Sequence, residues 1–197
     1  KGLDYEDPLF EKAISEMRLQ DILNSYCAWS NENETLMIPK ERGADSPVGI
    51  LFTIGKFTQG TIYEVSEDDP SYGHATNVYV SENVIAATFS HKLVEEEGRL
   101  IGNDAIWTGC VQWNAPGMNI HRTQYNARNI EYYSEDAVLT GTMGAAIYRQ
   151  VMSYGVVAAG KHFAFNDQET NRDGVAVFIG EQAARENELR GFQIAIR

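Results

Sequence analysis

The chain predicts an α/β fold with a parallel sheet, on three observations. An apolar run, Val156-Val157-Ala158-Ala159, opens directly into the polar stretch KHFAFNDQETNR, Lys161 to Arg172. A second apolar run, Ala105 to Val111, opens the same way into Trp113-Asn114-Ala115-Pro116-Gly117-Met118-Asn119-Ile120. Between them Leu139, Met143, Ala146, Ile147 and Val151 repeat at helical spacing. Strand, helix, strand in that order favours parallel pairing with right-handed crossovers. Polar clusters at the C-terminal ends of such strands face ligands more often than cores.

The elements follow in chain order. Asp7-Pro8 is an N-cap with Pro at the first helical position, and Leu9, Phe10, Ala13, Ile14 and Met17 then keep helical spacing. The polar stretch from Ser30 to Thr35 ends that region. Leu36 to Phe52, broken by Pro39, Gly43 and Pro47, reads as a strand, a turn bearing Asp45, and a short extended run from Val48 to Thr53. Gly55 to Thr76 is a long loop with a small hairpin at Thr61 to Val65. Val84 to Ala87 is a helical turn, and Ser90 caps a helix through Leu93, Val94, Glu97 and Ile101. Ala105 to Val111 is expected as a buried strand. Ser134-Glu135-Asp136 starts the next helix, with acids in its first turn, and Gly155 ends it. Val156 to Phe163 is the following strand. Ala183 to Ile196 is the last helix, with Leu189, Phe192 and Ile196 on its apolar stripe. It runs to Arg197 without a stop signal. The predicted strands number about three, against the eight of a closed barrel. Both points suggest a piece of a larger protein.

Bulk properties narrow the function. At 197 residues the chain is long enough for one domain with a sizeable core. Its net charge of −12, with no basic run, argues against a nucleic-acid or anionic-membrane partner. No apolar run reaches transmembrane length and no signal peptide is visible, so the cytoplasm is slightly favoured. Cys27 and Cys110 have no metal or redox spacing and read as core thiols. Asn33-Glu34-Thr35 matches a glycosylation sequon, a triplet common by chance. The run Glu169-Thr170-Asn171-Arg172-Asp173-Gly174 superficially matches a calcium loop, but its twelfth position is Gly180 rather than Glu. The Lys, His, Asn and Arg of the opening stretch suit a polyhydroxylated ligand, which needs many fixed donors and acceptors.

Four blocks, in order, resemble glycoside hydrolase family 3, the β-glucosidase and β-xylosidase group. Asp45-Ser46-Pro47-Val48-Gly49 is similar to the family's D-G-P-x-G. Pro116 to Arg122 is similar to P-G-x-N-I-x-R. Ala127 to Asp136, ARNIEYYSED, is similar to G-R-N-F-E-x-x-S-E-D. Lys161-His162-Phe163 with Asn166, Gln168-Glu169 and Asn171-Arg172 is similar to K-H-F-x-x-N-x-Q-E-x-N-R. The last two blocks are long and specific, and the first is short.

The resemblance implies a partial (β/α)8 TIM-like barrel, roughly the first three β/α units, with residues 1–197 as the N-terminal portion of the barrel domain. It implies retaining hydrolysis of β-linked glycosides, without a metal or organic cofactor. It also implies roles for matching residues. Asp45 would accept from sugar hydroxyls beside the scissile bond. Arg128, Lys161 and His162 would donate to them, and Arg172 would lie near the same pocket. Glu131 would orient Arg128, with Asn166 and Glu169 in support. The family's nucleophile is an Asp in an S-D-W-type motif, which this chain lacks. The acid/base comes from further away still. The chain therefore carries sugar-binding residues but neither catalytic carboxylate. The expected partner is a β-linked oligosaccharide or aryl glycoside, the sugar unspecified. The open sheet edge implies an oligomer, or packing on the rest of a barrel.

The chain departs from the pattern at Ser46 and Ala127, each in place of glycine, and at Tyr79-Val80 in place of F-P. A Cβ at Ser46 is expected to disturb Asp45. A divergent enzyme and a non-catalytic carbohydrate-binding remnant both stay open. So does the choice between a turn residue and a ligand residue for Asp45. Arg128 and Glu131, three apart, are expected to pair, with Glu131 holding an arginine that also reaches the sugar. His121-Arg122 reads as structural, His74 and His91 as surface residues, Trp113 as a core or loop anchor, and Glu67-Asp68-Asp69 as a solvated loop.

Overall fold

In the computed structural model, residues 7–26, 43–50, 68 and 76–197 are described, and they fall in two compact units, Lys1–Glu41 and Arg42–Arg197. The first holds helices α1 (Pro8–Glu16) and α2 (Leu19–Tyr26). The expected cap is present: Asp7 Oδ1 accepts from Leu9 N–H at 2.9 Å and Pro8 opens the helix. Most of the expected strand at 36–52, and the hairpin at 61–65, lie outside the described residues.

The second unit is built on a three-stranded parallel sheet in sequential order, β1 (Gly43–Ala44), β2 (Gln112–Trp113) and β3 (Val157–Ala158). Gly43 pairs with Gln112 and Gln112 with Val157. Helices α3 (Glu82–Ala86) and α4 (His91–Thr108) lie between the first two strands in sequence, and α5 (Ala137–Met152) between the second and third. Trp113, Ile50, Val94, Ile101, Met143 and Val151 are fully buried between the sheet and these helices. No helix among the described residues is long and apolar enough to cross a membrane.

The expected strand at Ala105–Val111 is largely helix. Val94, Ile101 and Ala105 form one buried stripe of α4, which continues to Thr108. Ile106 and Trp107 of the same apolar run are 60% and 71% exposed, on the helix's outer side. Gly109, left-handed at φ 66°, stops the helix. A short apolar run has no period of its own, so the helical register carried from Ser90 decides. Gly102 lets α4 meet the connection after α5: a Cβ there would stand 2.4 Å from the Tyr154 ring.

Helix α5 begins as expected, with Asp136 Oδ1 accepting from Leu139 N–H at 2.7 Å. Its buried face includes Met143, Ala146, Ile147 and Val151. It ends at Met152, and Gly155 turns the chain at φ 79°. The strand expected at Val156–Phe163 is regular only at Val157–Ala158, but its pairing with the β2 segment runs on. Ala159 N–H donates to Trp113 C=O at 2.8 Å and Lys161 N–H to Pro116 C=O at 3.0 Å. Lys161 therefore stands where the sheet ends and the polar cluster begins.

The last helix is not one α-helix. It comprises α6 (Glu181–Ala183), a wider π turn (Ala184–Glu188) and α7 (Arg190–Ile196). Phe192 is buried as expected and meets Phe163 edge-on at 5.3 Å, whereas Ile196 is exposed.

Candidate sugar site at the sheet's C-terminal end

The site is assembled from three segments that leave the sheet's C-terminal end. Asp45 follows β1 directly. Lys161 and His162 follow β3. The β2 segment continues through Gly117, which bridges to Lys161, and reaches Arg128 and Glu131 through a short helical turn at Asn129–Glu131. Gly117 is required for this approach: a Cβ would lie 1.9 Å from Glu131 C=O.

Glu131 is the hub. Its carboxylate takes two bonds from the Arg128 guanidinium, at 2.5 Å from Nε and 2.9 Å from Nη2, and lies 3.8 Å from Lys161 Nζ. Burial pushes its carboxyl up, but the bonds from Arg128 outweigh burial and hold it below the usual range. The same bonds raise Arg128 further. Lys161 Nζ also pairs with Asp45 Oδ1. Glu169 takes a second set of bonds, from Arg128 Nη1 at 3.5 Å, Arg172 Nη1 at 3.2 Å and Asn166 Nδ2 at 3.3 Å. Three cations, Arg128, Lys161 and Arg172, thus interleave with three carboxylates, Asp45, Glu131 and Glu169. Such a balanced lattice offers charged donors and acceptors without a net field, which suits a neutral ligand.

His162 is held on every side. Asn119, fully buried, accepts from its N–H at 2.6 Å and donates to its C=O at 3.0 Å. Its Nε2 lies 2.6 Å from Arg128 Nη2 and its Nδ1 3.1 Å from the Tyr132 hydroxyl. Burial, then the Arg128 and Lys161 charges, push the imidazole down to about 4.

Asp45, Arg128, His162, Asn166 and Arg172 line one cavity of about 580 Å³, with Phe163, Phe165 and Val177 on its apolar side. Lys161, Glu131 and Glu169 are bonded to members of that wall. All eight residues singled out in the sequence therefore come together in one region. Asn119 and Tyr132 were quoted in the sequence blocks without a role. A buried polar residue between apolar Met118 and Ile120 is the signal that marks Asn119.

The departures at Ser46 and Ala127 are absorbed. Ser46 is buried without left-handed backbone; its Oγ accepts from Val48 N–H at 3.2 Å and its C=O from Trp113 Nε1 at 2.9 Å. Trp113 is thus a core anchor for the Asp45 turn. Ala127 is exposed and likewise not left-handed. His121 Nε2 meets Tyr132 C=O at 2.9 Å, and Arg122 pairs with Asp167 at 3.1 Å, both structural roles. His91 is exposed, and His74 lies outside the described residues. Among the described residues no cluster of three or more His, Cys, Asp or Glu is arranged to hold a metal.

The model of the glycosyl hydrolase family 3 N terminal domain matches residues 71–197. The chain belongs to glycosyl hydrolase family 3. Within family 3 it is 47% identical over 116 residues to a beta-glucosidase of Ruminococcus albus, covering 58% of this chain and 12% of that protein. It is 31% identical over 160 residues to Beta-glucosidase A of Butyrivibrio fibrisolvens, covering 81% of this chain and 17% of that one. Beta-glucosidase 3B from Thermotoga neapolitana, solved in complex with glucose, superposes with a TM-score of 0.78 at 31% identity, over 94% of this chain and 27% of that one. The chain spans less than a fifth of the length of these two curated relatives. Arg128, Lys161 and His162 fall inside the segment matched by the family 3 model, and Asp45 precedes it.

Proposed function

We propose that this chain is the N-terminal part of a family 3 catalytic barrel, roughly three β/α units, and that it supplies the sugar-binding half of the −1 subsite of a retaining β-glucosidase-like enzyme. The observation that carries this reading is the cavity whose wall combines Asp45, Arg128, His162 and Arg172, backed by Lys161. Its size lies in the range of small-molecule sites. Its residues grip and orient: Arg128 and Lys161 donate to hydroxyls, and Asp45, 62% exposed and already beside Lys161, accepts from them. Charge-assisted bonds of this kind contribute roughly 1.5–3 kcal/mol each when desolvated.

The sequence-ordered parallel strands, with helices between them, support the barrel reading. In β3, Val157 is 57% exposed, and Phe163 just beyond is 74% exposed. Both are surfaces that further β/α units, or a second copy, would cover. The hydrolytic carboxylates belong to those further units, because no S-D-W-type aspartate stands in this chain. The 197 residues are therefore expected to bind glucose weakly without turning over an aryl β-glucoside. Calorimetric titration with glucose tests this. Millimolar binding lost in both Arg128→Ala and Lys161→Ala is the expected result. A flat titration to high millimolar glucose sinks the subsite reading, and turnover by the pure chain sinks the division of labour.

A further inference from the structure

We infer that Tyr132 is a positioning residue which, with Arg128, fixes His162 as the neutral Nδ1–H tautomer, so that neither ring nitrogen has a proton free for the cavity. The inference rests on counting protons along a chain of three contacts. A guanidinium only donates, so at 2.6 Å from Arg128 Nη2 the His162 Nε2 accepts. A neutral imidazole then carries its proton on Nδ1, which faces the Tyr132 hydroxyl at 3.1 Å. That hydroxyl accepts from Nδ1–H, leaving its own proton for a second partner. The second partner is present: Asn166 C=O, which only accepts, lies 3.1 Å away. All three contacts run one way, from Arg128 to His162 to Tyr132 to Asn166.

The other protonation states break this chain. The Nε2–H tautomer sets one N–H against another at 2.6 Å, and so does the imidazolium. Around the ring stand two cations, Arg128 and Lys161, and two carboxylates, Glu131 and Asp45, with Glu169 bonded to Arg128 behind them. Burial and the two cations hold the imidazole neutral at physiological pH. The Asn119 clamp fixes the backbone that carries the ring.

The sequence implied that His162 donates to a sugar hydroxyl. The geometry leaves the ring no proton for that role: Nε2 accepts from Arg128 and Nδ1–H is given to Tyr132, so Arg128 and Lys161 do the donating. This step rests on the sugar-site reading, but the tautomer does not, so the two are tested apart.

The test is long-range ¹H–¹⁵N correlation spectroscopy of the histidine rings in the ¹⁵N-labelled, sugar-free chain at pH 7. The His162 signals are assigned by their loss in His162→Gln. The expected wild-type pattern is one protonated Nδ1 and one unprotonated Nε2, opposite to the tautomer that free histidine favours. In Tyr132→Phe a measurable Nε2–H population is expected, together with a roughly tenfold loss of glucose affinity. A wild-type ring that is mainly Nε2–H or doubly protonated overturns the inference, whether or not the variant folds. So does a folded Tyr132→Phe chain with unchanged tautomer and affinity. A wild type that shows the expected tautomer but binds no glucose overturns the sugar-site reading alone.

Discussion

Asn119 and His162 are joined by a pair of hydrogen bonds, the Asn119 amide accepting from His162 N–H at 2.6 Å and donating to His162 C=O at 3.0 Å. One side chain from the segment after β2 thereby replaces the strand partner that His162 lacks where regular pairing ends. A backbone N–H and C=O that are partly withdrawn from water need such partners.

Truncating Asn119 to Ala leaves both groups of His162 unpaired and opens a small void. The expected cost is roughly 2–4 kcal/mol, more than one ordinary hydrogen bond. Urea denaturation of the variant measures it. A midpoint within error of wild type contradicts the clamp.

Gly117→Ala is expected to be more damaging than an ordinary surface change. The added methyl would stand 1.9 Å from Glu131 C=O and 2.8 Å from the Tyr132 ring, so the Asn129–Glu131 turn must move. Overpacking of this kind costs about 1–3 kcal/mol or more. Because Glu131 orients Arg128, glucose affinity is expected to fall as well. A stable variant with unchanged affinity shows that the turn is free to shift.

Much of this arrangement was legible in the sequence, and the reason is local. Asp7, Ser90 and Asp136 announce their helices because a capping side chain acts on backbone within three residues. The polar cluster from Lys161 was legible because it follows an apolar strand without a break. The end of α4 was misread because Ala105, Ile106 and Trp107 look apolar in isolation, although only Ala105 faces the core. Beyond the Arg128–Glu131 pair, three residues apart, the mutual geometry of the site was not legible. The contacts that close the site join residues 34 to 116 positions apart, such as Arg128 with His162 and Asp45 with Lys161.

Asp45→Asn separates binding from stability. Asp45 is 62% exposed, and its pair with Lys161 lies in solvent on one side. Exposed ion pairs contribute about 0–1 kcal/mol, so the melting temperature is expected to change little. Glucose affinity is expected to drop at least tenfold, through loss of a charged acceptor. Calorimetry and thermal melts on one preparation check both halves. A large loss of stability would make Asp45 a turn residue rather than a ligand residue.

The pH dependence of stability is expected to carry contributions of opposite sign, and one substitution isolates the share of Glu97. Glu97, buried on α4, is pushed up by that burial from 4.5 to about 7. Between those values the folded chain keeps a proton that the unfolded chain has lost. Its contribution is therefore present below pH 4.5 and is lost as pH rises to about 7. Glu82, likewise raised by burial, acts in the same direction. His162 acts the other way. Lowered from 6.5 to about 4, it stays neutral in the folded chain while the unfolded chain protonates, so its contribution is intact above pH 6.5 and fades as pH falls to about 4. Glu97→Gln removes the Glu97 part of the first slope and leaves the Glu82 and His162 contributions. The variant is expected to melt higher than wild type at pH 8, by an amount corresponding to on the order of 2–3 kcal/mol, and to converge with it near pH 4. Melting curves at half-unit intervals from pH 4 to 8 measure the convergence. If the variant parallels the wild type throughout, Glu97 does not carry the titration that its burial implies.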